Sequence, residues 1–152
     1  MVEIGNIKPH LFYNKEQIGI ETIKRIRFLI KEQHFFKCND DKKMRLLIIL
    51  CNDLSEIYNI KKIGCMYMNK DLNVRGCFLN PGSTICLNKP SLVTFLHEFK
   101  HFLNCETKQH NNNINDEEMT AIGFSHSLYF LATPNLFKSA VEKNLLVFQD
   151  TL

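Results

Sequence analysis

The apolar residues of this chain change their spacing at Lys62, and that change constrains the fold more than any other feature. Before it, Ile20, Ile23, Ile26 and Ile30 stand among Lys24, Arg25, Arg27 and Lys31, giving one apolar and one charged helical face. After the polar break Cys38-Asn39-Asp40-Asp41-Lys42-Lys43, the residues Leu47, Ile48, Cys51, Leu54 and Tyr58 recur at helical intervals and predict a second helix to about Asn59. Beyond Lys62 come three short β-prone runs, Ile63 to Met68, Val74 to Leu79 and Ser83 to Leu87. Asn69-Lys70-Asp71 and Asn80-Pro81-Gly82 punctuate them, the second placing Pro before Gly as a tight turn with positive φ requires. Three short antiparallel strands are expected. Helical spacing returns near Pro90, so the chain reads as an α+β domain: two N-terminal helices, a small three-stranded antiparallel sheet, then further helices.

With 152 residues, 45% of them hydrophobic and 23% charged, one core suffices. We divide the chain into a helical part (1–60), a sheet with the chemistry-bearing helices (61–133) and a C-terminal tail (134–152). The net charge, 19 − 16 = +3, is too small to serve as the footprint of a nucleic-acid binder. No window approaches the ~18 uninterrupted apolar residues of a membrane helix, and the N-terminus lacks the pattern of an export signal. A cytoplasmic chain without a membrane partner is expected. Six cysteines (Cys38, Cys51, Cys65, Cys77, Cys86, Cys105) are then free thiols acting as small hydrophobes, and no CxxC spacing supports a four-thiolate zinc knuckle.

The third predicted helix reads Ser91-Leu92-Val93-Thr94-Phe95-Leu96-His97-Glu98-Phe99-Lys100-His101-Phe102-Leu103-Asn104 and contains His-Glu-x-x-His. Two imidazoles four residues apart lie one turn apart on one face, so both can reach a single zinc ion at about 2.0–2.1 Å. Glu98 is then placed to take a proton from a metal-activated water and pass it to a leaving amine. Counting about 100° per residue from His97, Thr94, Glu98 and His101 fall between about 0° and 100°. Leu92, Phe95, Leu96, Phe99, Phe102 and Leu103 occupy the opposite side, about 140° to 260°. The helix is expected to be anchored by its back and to present a polar front. Two surface histidines on an ordinary amphipathic helix are the plain alternative.

A catalytic zinc usually takes three protein ligands. Cys105 lies two turns, about 12 Å, from His97 and cannot readily share an ion with both imidazoles. His110 in the polar loop and His126 on the next helix remain open. The better candidate is the carboxylate pair Glu117-Glu118, where Ala121 and Ser125 beside Glu118 permit close approach to the metal helix. Adjacent helical residues point about 100° apart, which predicts that only one of the pair matters and that the other merely complements the helix N-terminus.

His97-Glu98-x-x-His101 followed by Glu118-x-x-Ala121-x-x-Phe124 resembles the gluzincin clan of zinc metallopeptidases, above all the minigluzincins and the ImmA/IrrE-like peptidases. The likeness spans about Ile63 to Pro134. It implies that His97, His101 and Glu118 are zinc ligands, that Glu98 is the general base, and that the partner is a peptide or protein substrate held against an edge strand. Ser83 to Leu87 and Val74 to Leu79 both qualify as that edge. Tyr129 or His126 would be the further donor to a developing oxyanion, unless each is a packing residue. The resemblance also implies that the tail from Pro134 can block the cleft, although Leu136, Phe137, Ala140 and Val141 equally describe a packed helix.

The chain departs from the clan at Ile122, where a polar residue often steadies a metal-binding histidine. That support is expected instead from Thr94, Asn104 or a backbone carbonyl. Lys100, at about 300° on the wheel, is expected to point to solvent. The reading from another class is a zinc-binding regulatory or interaction domain with little or no turnover.

Overall fold

The computed structural model describes residues 12–67, 76–79, 84–109 and 113–143. The connectors Asn69-Lys70-Asp71 and Asn80-Pro81-Gly82, the residue His110 and the run Leu145 to Phe148 lie outside them. A short helix α1 (Lys15–Ile18) opens the described chain, and Gly19, at φ 98°, breaks it from α2 (Ile20–Lys31). A 3₁₀ turn over Phe35–Lys37 leads to α3 (Asp40–Ile57), whose N-cap Asn39 accepts from the Lys42 amide. Strands β1 (Gly64–Tyr67), β2 (Gly76–Leu79) and β3 (Thr84–Leu87) come next, then α4 (Leu92–Glu106), α5 (Ile114–Ala132) and α6 (Pro134–Glu142). The α+β class and both predicted N-terminal helices are present. Leu136 to Val141 is helical within α6, whose Phe137 and Ala140 are buried.

The sheet differs from the expectation of three antiparallel strands. Its order is β1-β3-β2; β2 pairs with β3 antiparallel, but β1 pairs with β3 in parallel, with Cys65 opposite Ile85 and Tyr67 opposite Leu87. Short β-prone runs carry no record of direction, and the residues between β1 and β2 are numerous enough to carry the chain past the position β3 later fills. Since β3 is central, it cannot be the free edge, and Ser83 to Leu87 is excluded from that role.

Helix α4 runs through the middle of the molecule, against α3, α5, β2 and β3. Phe95, Phe99 and Phe102 are fully buried in a core shared with Leu47, Leu50 and Leu54 of α3 and with Ile85 and Leu87 of β3. Gly76 sets how closely β2 approaches: a Cβ there would stand 2.6 Å from Thr94 Cγ2 and 3.2 Å from the Cys86 carbonyl oxygen. Ala121 and Ser125 of α5 are also fully buried, the close helix contact their size permits. Arg27 fastens α2 to the end of α5 by donating to the Ala132 carbonyl at 3.0 Å. No helix among the described residues is long and apolar enough to cross a membrane.

Candidate metal centre

Ser91 caps α4 by accepting from the Thr94 amide, and the apolar back of the helix fixes its rotation in the core. His97 and His101 therefore face α5. The front is not open, as the wheel alone suggested: His97 is 1% exposed and Glu98 8%, because α5 and β2 cover it. Asn113 starts α5 by accepting from the amides of Asn115 and Asp116, which brings Glu117 and Glu118 to the level of the two imidazoles.

Three side chains converge there. His97 Nε2 lies 3.0 Å from Glu118 Oε2, His101 Nε2 lies 2.9 Å from Glu118 Oε1, and the two Nε2 atoms are 3.2 Å apart. Ligands about 2.0–2.1 Å from a tetrahedral ion stand about 3.3 Å from one another, so these three atoms are spaced as a group that could hold one metal ion. Among the described residues, His97, His101 and Glu118 are the one such group of His, Cys, Asp and Glu. Two imidazoles and a carboxylate are also a donor set suited to zinc with a fourth position left for water.

Glu117 has a second role that the 100° argument missed. Its Oε1 lies 3.2 Å from His101 Nδ1 and accepts from Asn104 Nδ2 at 3.0 Å. An Nδ1–H donated to Glu117 leaves the Nε2 lone pair of a neutral His101 free for a metal. Glu117 is thus not a mere helix-end charge. Its side chain is 16% exposed, whereas that of Glu118 is 50% exposed. Asn104, one of the groups from which support for a histidine was expected, donates to Glu117. Thr94 plays no such part: its hydroxyl is buried and has no hydrogen-bond partner among the described residues.

The charges agree with this geometry. Hydrogen bonds from His101 and His97 hold the Glu118 carboxyl well below the usual carboxylate range, against the opposing effect of burial. Burial disfavours protonated His101, yet the hydrogen bond and charge of Glu118, the charge of Glu98 and the Glu117 hydrogen bond outweigh it and raise its pKa. Glu98 acts on a second neighbour too, helping burial and Cys86 to push up the Cys77 thiol on β2.

The other candidates lie elsewhere. Lys100 does not point to solvent: it is 8% exposed, with its ammonium 5.2 Å from the ring centres of both Tyr13 and Phe124. The covering ring belongs to a segment tied down by Tyr13 N–H donating to Ser127 Oγ, a contact no local pattern encodes. Burial lowers the Lys100 pKa, and the Glu117 charge opposes that. Cys105 stays outside the triad, its thiol raised by burial and by the charges of Glu117 and Glu106. His126 is 2% exposed and neither ring nitrogen has a hydrogen-bond partner among the described residues. Burial, with the His97 charge, lowers its pKa to about 4. Tyr129, eleven positions beyond Glu118 and about 16 Å along α5, packs against Phe36 and Phe137, and burial pushes its phenol up to about 12. All six cysteines are free, with Cys51 and Cys86 buried and the other four half-buried.

Compared with models of known families, with curated proteins and with solved structures, the chain matches none.

Proposed function

We propose that this chain is a zinc-dependent peptidase of the gluzincin type. The observation that carries the reading is the convergence of His97, His101 and Glu118 within 2.9–3.2 Å, with Glu117 on the outer nitrogen of His101 and Glu98 buried beside them. Bound zinc supplies Lewis acidity to water and to a carbonyl oxygen. His97, His101 and Glu118 hold the ion, and Glu117 keeps the His101 ring in register by accepting its Nδ1 proton. Glu98 takes the proton of the attacking water and delivers it to the leaving amine nitrogen. Strand β2, at the sheet edge and against α4, offers main-chain N–H and C=O groups to an extended peptide.

A second reading, a zinc-binding regulatory or interaction domain with little turnover, is favoured by the burial of His97 and Glu98, which leaves a substrate small access. Zinc content measured beside cleavage of a mixed peptide library separates the two. The peptidase reading requires stoichiometric zinc and cleavage abolished by a chelator and restored by zinc. Zinc without cleavage supports the second reading, and absence of zinc defeats both.

A further inference from the structure

On the side of α4 away from β2, at its N-terminal end, a cavity of about 460 Å³ lies between α3, α4, α5 and α6. Its size falls within the range of sites for small organic ligands, about 300–1,000 Å³. Phe35, Phe36, Tyr129 and Leu136 form its apolar wall. Phe36 and Tyr129, whose ring centroids stand 5.7 Å apart with a tilt of 31°, give that wall two neighbouring aromatic rings.

The polar side of the cavity is cationic. Lys43 of α3, Lys89 of the β3–α4 connector and Lys143 at the C-cap of α6 line it, against the single carboxylate of Asp40. Lys43 rests 5.7 Å over the Phe35 ring, and neither Lys89 nor Lys143 is ion-paired within the described residues. Leu92 and Val93 also line the cavity, and as the first residues of a fifteen-residue helix their amides have no acceptor within it. The Ser91 hydroxyl is already committed to Thr94 N–H, so the positive end of α4 is left to whatever occupies the cavity. A surplus of two cationic side chains beside a helix N-terminus calls for a dianion, and a wall containing three aromatic side chains suits an aromatic body.

We propose that this cavity binds a small aromatic phosphate, its ring against Phe36 and Tyr129 and its phosphate toward Lys89, Lys143 and the first amides of α4. The site is separate from the metal centre, because Val93 precedes His97 by a full turn, about 6 Å. The proposal does not depend on zinc or on peptide hydrolysis. Tyr129 thereby has a place that the metal site does not give it.

Calorimetric titration of the full chain with 1-naphthyl phosphate, 1-naphthol and inorganic phosphate, with and without added zinc, tests this. The aromatic phosphate is expected to bind at least about tenfold more tightly than either fragment, equally in both zinc conditions, and more weakly as salt rises. Lys89→Glu with Lys143→Glu should weaken it at least about tenfold, since two attractive charges become repulsive, while the thermal midpoint stays unchanged. The same exchange at the exposed Lys24 and Lys31 of α2 should leave binding intact. Equal binding of 1-naphthol, indifference to the Lys89 and Lys143 exchange, or no binding of the aromatic phosphate would overturn the proposal. An affinity that depends on protein concentration would overturn it in favour of a second copy of the chain.

Discussion

The two ends of the α4–α5 pair bury histidines in opposite ways. At one end His101 meets Glu118 at one ring nitrogen and Glu117 at the other, and its pKa is raised despite burial. At the other end His126 has no hydrogen-bond partner among the described residues, packs against the Phe137 ring and is driven down to about 4. Burial without a carboxylate at either nitrogen therefore leaves His126 a neutral packing residue. What makes the first end a candidate centre is the arrival of carboxylates at both ring nitrogens of His101, with His97 Nε2 only 3.2 Å from His101 Nε2.

The contrast can be broken or sharpened by substitution. The largest effect is expected from Glu98, which in the proposed mechanism carries a proton and leaves the metal to other residues. Glu98→Gln should retain zinc and lose about 10²–10⁴-fold in peptide cleavage; parental cleavage rates in that variant would remove Glu98 from the mechanism.

At the apolar end the readout is stability against pH. Between pH 6.5 and about 4 the unfolded chain binds a proton that folded His126 refuses, so stability falls as pH falls through that window. The shift corresponds to about 3 kcal/mol, which His126→Leu should abolish. Urea unfolding at pH 7 and pH 4 measures it, and an identical acid loss in parent and variant would show that His126 finds a partner in solution.

Glu117 should have an intermediate effect. Removing a partner that orients a metal-bound histidine typically costs about 10–100-fold in metal affinity, and Glu117→Ala should do so without changing zinc stoichiometry. An unchanged affinity would return Glu117 to the helix-end role its position in the first turn of α5 first suggested.

The smallest effect is expected at Lys100, between the two ends. Lys100→Met keeps the buried stem and removes two cation–π contacts worth about 0.5–1 kcal/mol each, offset by relief of ammonium desolvation. A net loss of about 1 kcal/mol on urea unfolding is expected; a larger loss would give the Lys100 charge a role toward Glu117.

Much of this was legible in the chain. The apolar period alone placed α2, α3, α4 and α6, and the stripe opposite His97 and His101 separated the core-packed back of α4 from its titratable front. The four-residue α1 was not visible, being too short to show a period. Sheet direction was not visible either, because strands of four residues have no marker of sense. Lys100 was misread because a helical wheel gives a direction but not what lies in it; Tyr13 covers that direction from the far end of the sequence. Glu117 was misread for a different reason. Two carboxylates 100° apart cannot meet one atom in the same way, but an imidazole has two nitrogens on different sides, and adjacent glutamates can flank it. The signal was present in Asn104, three positions after His101 and within reach of Glu117.

The central claim is that His97, His101 and Glu118 form one zinc site, and direct titration of zinc against a chelating dye tests it. The account predicts one zinc per chain in the parent and in Glu117→Ala, with Glu118→Ala losing far more affinity than Glu117→Ala. Stoichiometric, undiminished zinc binding in Glu118→Ala, or no zinc bound by the parent, would contradict it.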